Sequence, residues 1–270
     1  MDKKIFWSEV VRDLSLSLPG HAMNTWIDPI KTTGFSKNEI VLQVPNQFFL
    51  EWVESHYKKA IESSTKKKNL FIKIILPLII EENNRIKLDR RKLFAILNKN
   101  KNSKKEKKWL DLKFKQYGVV NKDLSTLKIR MDEIPVSLAI AQAAKETGWG
   151  TSRFAQEGNA LFGQWTWSGE GLKPKDSDKS EGHKVMKFNV LQASVRAYQR
   201  NLNTHSSYKN LRKARAELRD VGKPLDSLIL VKFLNEYAET GEKYVEVLTK
   251  IIKQNNLKDF DDARLLPSSI

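Results

Sequence analysis

Cysteine is absent from this sequence of 270 residues, which excludes disulfide bonds and thiolate chemistry. Long apolar runs are also absent. The nearest approach, LFIKIILPLII over residues 70–80, contains Lys73 and is shorter than the roughly 18 apolar residues that a membrane span needs. We therefore predict that this run forms a buried helix or strand.

Patterns typical of metal sites and of export signals are lacking as well. The four histidines show no paired spacing such as HExxH, so we expect neither a metal site nor a cofactor. The opening residues, MDKKIFWSEVVRDL, lack both the apolar segment and the small-residue cleavage site of a secretory signal. Taken as written, the protein is expected to be cytoplasmic.

The net charge of +16 is concentrated in the middle of the chain. Residues 1–65 hold 7 basic and 8 acidic side chains, whereas residues 66–118 hold 17 basic and 5 acidic ones. Such a segment is typical either of a polyanion-binding surface or of a solvated basic face. Its lysines are not interleaved with aromatic residues in a recognisable motif, so we do not expect nucleic acid to be a partner.

The pattern of residues 1–65 predicts a small α+β domain. IFWSEVVRDLSLSL repeats apolar residues at helical spacing, and Pro19-Gly20 ends the repeat. TGFSKNEIVLQVP alternates apolar and polar residues around a turn, which predicts a β-hairpin. Asn46 is placed to cap a helix over QFFLEWVESHYKKAIESS, and SSTKKKN is interpreted as the exit linker.

The pattern of residues 66–270 predicts one compact, mainly helical domain. IPVSLAIAQAAKETG predicts a helix that begins near Pro135 and ends at Gly148. Further helices are predicted over residues 225–239 and 242–256.

Glu146 lies at the end of the helix predicted after Pro135, directly before Gly-Trp-Gly. Helical spacing gives it a mostly apolar floor, formed by Leu138, Ala139, Gln142 and Ala143. Such surroundings disfavour ionisation and raise a carboxyl pKa, as a general acid working near neutral pH requires. Cleavage of a glycosidic bond needs this kind of acid.

Glycines and aromatic residues follow Glu146 closely. Gly148 and Gly150 would allow a bulky polymer to approach the backbone, and aromatic rings can stack on sugars. The candidate rings are Trp149, Phe162, Trp165 and Trp167. In the alternative interpretation, Glu146 is a solvated residue beside a helix C-cap and the tryptophans belong to the core.

Three separated motifs resemble those of the bacterial Bax family of peptidoglycan glucosaminidases. They are IPVSLAIAQAAKETGWGTSRFAQEGNALFGQW, ASVRAYQRNLNTHSSYKNLRKAR and YAETGEKYVEVL. The resemblance runs from about Lys67 to Asp261. It implies a lysozyme-like α fold and a domain of the mannosyl-glycoprotein endo-β-N-acetylglucosaminidase-like type. Amidase activity is sometimes attributed to this type of domain as well.

The resemblance also implies roles for individual residues. Glu146 occupies the family's Glu-Ser/Thr-Gly-Trp-Gly position as the general acid, and Tyr237 is expected to support it. The residues expected to bind substrate are Gln142, Trp149, Phe162, Gly163, Trp165, Tyr198, Asn201, His205 and Tyr244. For Asn201, Asn203 and His205, which match the NLNTH signature, the alternative role is to hold helices together.

One departure from the family concerns the second catalytic group. Relatives often carry an acid just after the histidine of a hairpin, whereas this chain has Lys184 there. Glu181 or Glu170 could take its place, and assistance by the substrate's own N-acetyl group would require neither. Retention and inversion of the anomeric configuration therefore both stay open.

Residues 1–65 resemble a different family, the N-terminal domain of the bacterial replication initiator DnaA. The matching pieces are Trp7 in the first helix, TWIDPI, and the hairpin that leads to VPNQFFLEWVESHYKKAI. In that family the domain makes protein contacts, including self-association, and Trp7 and Phe48 occupy matching contact positions. A core role is the alternative for both residues.

The two resemblances meet at residues 66–80, where we favour a helix over a strand. Together they predict a hydrolase that cleaves β-N-acetylglucosaminyl bonds of peptidoglycan or another N-acetylglucosamine polymer, with a protein partner or self-association through residues 1–65. Glucosaminidase relatives act in the periplasm or cell envelope. The alternative is a non-enzymatic adaptor that joins an initiator-like interaction module to a polymer-binding helical domain.

Overall fold

The computed structural model describes residues 3–15, 18–35, 40–166, 171–173 and 184–266. The chain divides into two compact units. One consists of Met1–Ile74 with Lys253–Asn256, and the other of Ile75–Ile252 with Leu257–Ile270.

The first unit combines helices with a two-stranded antiparallel sheet. Its elements are α1 (Lys3–Ser15), α2 (Gly20–Ala22) with a π-helical turn (Met23–Ile27), β1 (Lys31–Phe35), β2 (Ile40–Gln43), α3 (Gln47–His56) and the start of α4 (Lys58–Leu97). Lys31 lies opposite Gln43 and Phe35 opposite Ile40, which confirms the predicted hairpin. Asn46 caps α3 as predicted, since its side chain accepts a hydrogen bond from the Phe49 amide at 2.8 Å.

Apolar residues from these helices form the core of the first unit. The buried members are Trp7, Val10, Leu14, Met23, Ile27, Ile30, Phe49, Val53 and Ile61. Lys68 is also buried here, and its Nζ lies 3.6 Å from an Asp13 carboxylate oxygen. The SSTKKKN segment that contains Lys68 is helical and part of α4, so the linker prediction was wrong and the prediction of a helix at residues 66–80 is confirmed.

The elements after α4 are mostly helical, as predicted. The helices are α5 (Lys104–Gln116), α6 (Leu124–Arg130), α7 (Val136–Thr147), α8 (Arg153–Gly158), α9 (Leu191–Thr204), α10 (Lys209–Asp220), α11 (Ser227–Leu230) and α12 (Glu242–Gln254). Short 3-10 turns cover Ser206–Tyr208, Val231–Phe233 and Leu257–Phe260. The helix predicted over residues 225–239 is wrong beyond Phe233, where the chain turns instead.

A small antiparallel sheet follows α8 in the sequence. It has the strand order β3 (Trp165–Thr166), β5 (Lys184–Met186), β4 (Gly171–Leu172). Trp165 lies opposite Val185, and Leu172 pairs with Val185 from the other side. Within the described residues, no helix combines the length and apolarity needed to cross a membrane.

The segment just before α7 is held by buried charges. Asp132 and Arg215 are both buried, and Arg215 donates hydrogen bonds to the carbonyl oxygens of Ile129, Asp132 and Glu133 at 3.0–3.2 Å. Arg219 donates to the Asp132 carboxylate at 3.1 Å. Because this segment leads directly into α7, the network fixes the start of the helix that carries Glu146.

Candidate active site

Glu146 lies in the last turn of α7, two residues before the C-cap residue Gly148. Gly148 ends the helix in the left-handed region with φ 56°, as the predicted boundary requires, and Gly150 has φ 81°. Trp149 between them also has positive φ, at 59°, although it is not a glycine. The remainder of α7 is almost wholly buried, so the position of Glu146 is determined by packing along the helix.

A chain of hydrogen bonds leads from the protein interior to the Glu146 carboxyl group. The Tyr198 hydroxyl donates to Gln142 Oε1 at 2.7 Å, and Gln142 Nε2 donates to the Tyr244 hydroxyl oxygen at 3.2 Å. The Tyr244 hydroxyl in turn donates to Glu146 Oε1 at 2.9 Å. Because an amide nitrogen can only donate, Tyr244 must direct its single proton at Glu146.

These hydrogen bonds give the two carboxyl oxygens of Glu146 different surroundings. Oε1 is occupied by Tyr244, whereas Oε2 faces Gly163. A Cβ atom on Gly163 would lie 3.0 Å from Oε2, and Gly163 has a left-handed φ of 59° that disfavours other residues. Glycine at this position therefore leaves space beside Oε2, the oxygen that can carry an exchangeable proton.

Burial raises the pKa of the Glu146 carboxyl above its ordinary value, and the hydrogen bond from Tyr244 opposes that shift. This is the direction that the apolar floor of the helix predicts. Burial also raises the pKa of Tyr244 well above that of an exposed tyrosine, so its hydroxyl stays protonated and remains a donor.

Aromatic stacking holds the residues around the carboxyl group in place. The Tyr237 ring stacks on Tyr244 with centroids 5.4 Å apart, and the Tyr237 hydroxyl donates to the Phe162 carbonyl at 2.9 Å. Phe162 stacks on Tyr198 at 3.9 Å. Residues far apart in the sequence are thereby joined on one side of Glu146.

Glu146 lines an open cavity of about 780 Å³. The predicted site residues in its lining are Glu146, Phe162, Gly163, Trp165, Asn201 and Tyr237. Trp165 is 47% exposed. No local sequence pattern brings together the other lining residues, which are Gln164, Met186, Ala197, Arg200, Thr204, Tyr208, Ala238 and Glu239.

Other predicted substrate-binding residues lie outside that lining. Gln142, Tyr198 and Tyr244 are buried behind Glu146, where they form the hydrogen-bond chain, and Trp149 is only 6% exposed. His205 is exposed, and its Nδ1 accepts a hydrogen bond from the Ser207 amide at 3.3 Å, which caps the 3-10 turn Ser206–Tyr208. Glu181, Glu170 and Trp167 lie outside the described residues.

Another cavity, of about 650 Å³, borders the opposite end of α7 at Pro135 and Val136. Two ion pairs lie in its lining, Lys87 with Glu133 at 2.9 Å and Lys258 with Asp226 at 2.7 Å. Asp261 accepts from the Ser137 amide at 2.8 Å and so caps α7. These contacts are typical of structural ion pairs, which favours the cavity at Glu146 as the active site.

The two predicted contact residues of the first unit differ in exposure. Trp7 is 6% exposed and belongs to the core, as its alternative role predicts. Phe48 is 66% exposed and lies beside Trp26 with centroids 6.3 Å apart. Trp26 in turn stacks on Trp52 at 5.0 Å.

Comparison with known proteins confirms both resemblances. Residues 123–257 match the sequence model of the mannosyl-glycoprotein endo-beta-N-acetylglucosaminidase family, and residues 4–67 match that of the DnaA N-terminal domain. Protein bax of Escherichia coli is 32% identical over 199 residues, which cover 72% of this chain and 71% of that protein.

Matches to the initiator and to a solved structure are more limited. The chromosomal replication initiator protein DnaA of Flavobacterium psychrophilum is 32% identical over 62 residues, which are 23% of this chain but only 13% of that protein. The catalytic domain of the autolysin Auto from Listeria monocytogenes matches at 20% identity with a TM-score of 0.35, covering 64% of this chain and 97% of that domain. That score is too low to establish a shared fold.

Proposed function

The chain belongs to the mannosyl-glycoprotein endo-beta-N-acetylglucosaminidase family, and on this basis we propose that it hydrolyses β-N-acetylglucosaminyl bonds in the glycan strands of peptidoglycan. The observation that carries the proposal is the position of Glu146, a half-buried carboxyl group with a raised pKa at the wall of an open cavity. A lysozyme-like arrangement of the helices is part of the same proposal.

In the proposed reaction Glu146 is the general acid. Tyr244 holds Oε1, so the proton lies on Oε2 and is delivered to the glycosidic oxygen as the bond to the anomeric carbon breaks. The space left by Gly163 admits that oxygen to within reach of Oε2. Trp165 lines the cavity and is partly exposed, so it is the proposed stacking residue for a sugar.

A cation in the cavity favours peptidoglycan over a neutral glycan. Arg200 lines the cavity and is exposed, and no carboxylate of the described residues lies within ion-pair distance of it. Peptidoglycan carries carboxylates on its peptide stems, and a guanidinium binds such groups well. Because this substrate lies in the cell envelope, we propose that the protein acts there.

The test is a digest of purified peptidoglycan by the full chain, with new reducing ends and fragment masses as the readout. Fragments that end in reducing N-acetylglucosamine are expected. A neutral chitin oligomer, incubated in parallel, is expected to be cleaved more slowly because it lacks a partner for Arg200. An absence of fragments from a chain whose circular dichroism shows it to be folded would refute the proposal.

Replacing Tyr244 with phenylalanine is expected to move the alkaline limb of the pH profile of kcat/KM to higher pH. The Tyr244 hydroxyl stabilises the ionised form of Glu146, so its removal raises the pKa of Glu146 further. The acid then stays protonated up to a higher pH. The measurement is kcat/KM against pH for the wild type and the variant.

The matched control for this prediction is Tyr237→Phe. Its hydroxyl donates to the Phe162 carbonyl rather than to Glu146, so the position of the alkaline limb is expected to stay unchanged whatever happens to the rate. A limb that stays in place or moves to lower pH in Tyr244→Phe would contradict the assignment of Glu146 as the acid that this tyrosine tunes.

A second candidate function is a non-enzymatic adaptor. The aromatic cluster of Trp26, Phe48 and Trp52 in the first unit, of which Phe48 and Trp52 are exposed, favours a role in protein binding. An adaptor requires polymer binding without turnover. Co-sedimentation of the wild type with peptidoglycan in the absence of any new reducing ends would favour it over the hydrolase.

A further inference from the structure

Hydrolysis of a glycosidic bond by Glu146 alone leaves the activation of water unexplained. Inverting enzymes of this chemistry use a second carboxylate as the base, on the opposite face of the sugar. In the lining of the cavity at Glu146, the only other carboxylate that the described residues provide is Glu239. The inference below rests on the proposed function.

Glu239 lies in the turn that joins the 3-10 turn Val231–Phe233 to α12. Backbone hydrogen bonds define this turn, from the Tyr237 amide to the Leu234 carbonyl at 3.0 Å and from the Gly241 amide to the Ala238 carbonyl at 3.0 Å. Gly241 has a left-handed φ of 50°. The backbone that carries Glu239 is therefore ordered by local contacts.

Tyr237 connects this turn to the general acid. Its hydroxyl donates a hydrogen bond to the Phe162 carbonyl. Phe162 directly precedes Gly163, which faces Glu146 Oε2. The Tyr237 ring stacks on Tyr244, which holds Glu146 Oε1. Glu239 follows Tyr237 by two residues. The contacts of Tyr237 that help to position Glu146 therefore also position the backbone of Glu239 at the cavity.

The two carboxyl groups have opposite surroundings. Glu146 is half-buried and hydrogen-bonded, whereas Glu239 is exposed and has no hydrogen bond or ion pair with any described residue. A carboxylate open to water in this way has free lone pairs with which to accept a proton from a water molecule. The volume of the cavity, about 780 Å³, leaves room for that water beside a bound sugar.

We propose that Glu239 is the general base that activates the hydrolytic water. Glu239 takes one proton from the water while the water oxygen bonds to the anomeric carbon, and the bond to the leaving sugar oxygen breaks as Glu146 protonates it. One water is consumed, and the two carboxyl groups exchange their protons with solvent to restore the starting state. A β-linked substrate then releases a product that is initially the α-anomer.

The test measures peptidoglycan hydrolysis by the full chain in the wild type and in Glu239→Gln, with and without sodium azide. Loss of the base is expected to lower turnover by about 10²–10³-fold. Azide, which needs no deprotonation, is expected to restore part of it and to yield an α-glycosyl azide. Glu236→Gln is the control, since Glu236 is exposed on the same turn but does not line the cavity.

The outcomes separate this inference from the proposed function. Wild-type turnover in Glu239→Gln, or a loss that azide does not restore, overturns the role of Glu239 while the hydrolase stands. Azide rescue in Glu181→Gln or Glu170→Gln instead assigns the base to that residue and overturns Glu239. A β-anomer as the first product of the wild type excludes inversion, and no cleavage by the wild type overturns both proposals.

Discussion

Glycan hydrolysis is expected to fall by about 10³-fold when Glu146 is replaced with glutamine. Glutamine keeps the shape of the side chain, and its Oε1 can still accept the hydrogen bond from Tyr244. Its amide cannot deliver a proton to the leaving oxygen, so the bond to the anomeric carbon must break without acid assistance. The measurement is the rate of new reducing ends from peptidoglycan under saturating substrate.

Glu157→Gln is the matched control for this substitution. Glu157 is a surface residue whose side chain is 57% exposed and lies 3.5 Å from Arg153, so its replacement is expected to leave turnover within twofold of the wild type. Binding of peptidoglycan by Glu146→Gln is expected to persist, because the cavity is unchanged. Turnover by Glu146→Gln at the wild-type rate would exclude this residue as the acid.

The largest expected effect on stability follows the replacement of Asp132 with asparagine. Burial raises the pKa of Asp132, but the charges of Arg215, Arg90 and Arg219 outweigh it and hold that pKa below its ordinary value. Asparagine leaves these buried or half-buried guanidinium groups without their central counter-charge. We expect the free energy of unfolding to fall by about 3–5 kcal/mol and the Tm by roughly 6–20 °C.

The control for this prediction is Asp111→Asn. Asp111 forms an ion pair with Lys122 at 2.7 Å in which both side chains are more than half exposed, so its loss is expected to cost less than about 1 kcal/mol. Thermal unfolding followed by circular dichroism compares the two variants. Equal Tm values would show that the network around Asp132 contributes no more than a surface pair.

The pH dependence of stability offers a second check on Asp132. Its pKa is lowered in the folded chain, so its contribution is present above the pKa of the unfolded state, near 3.9, and is lost as the pH falls through the lower folded value. The difference in unfolding free energy between the wild type and Asp132→Asn is therefore expected to shrink in strong acid.

Local sequence patterns were sufficient to predict the structure around Glu146, because a single helix determines it. The apolar repeat of α7, Pro135 at its start and Gly148 at its end were readable directly, and so was the apolar floor that raises the pKa of Glu146. Predictions from local patterns were wrong where a contact with a distant residue determines the local structure. The polar SSTKKKN segment continues a helix in which Lys68 is buried and paired with Asp13, and nothing within the segment shows this.

The turn at residues 234–241 is a further case. Apolar spacing predicted a helix up to residue 239, but the Tyr237 hydroxyl donates a hydrogen bond to a carbonyl group 75 residues away and its ring stacks on Tyr244. These tertiary contacts accompany a turn that places Glu239 in the lining of the cavity. Helical propensity is weak enough, at most about 1 kcal/mol per residue outside proline, for such contacts to override it.

The sequence by itself indicated which known family each part of the chain resembles, the mainly helical character of the longer part, and Glu146 as the candidate acid. Only the tertiary structure decided which oxygen of Glu146 is held by Tyr244, which residues share its cavity, and that Phe48 rather than Trp7 is exposed. The physical reason is that helical periodicity and capping act over a few residues. Cavities, buried ion pairs and hydrogen-bond chains join residues that lie tens of positions apart.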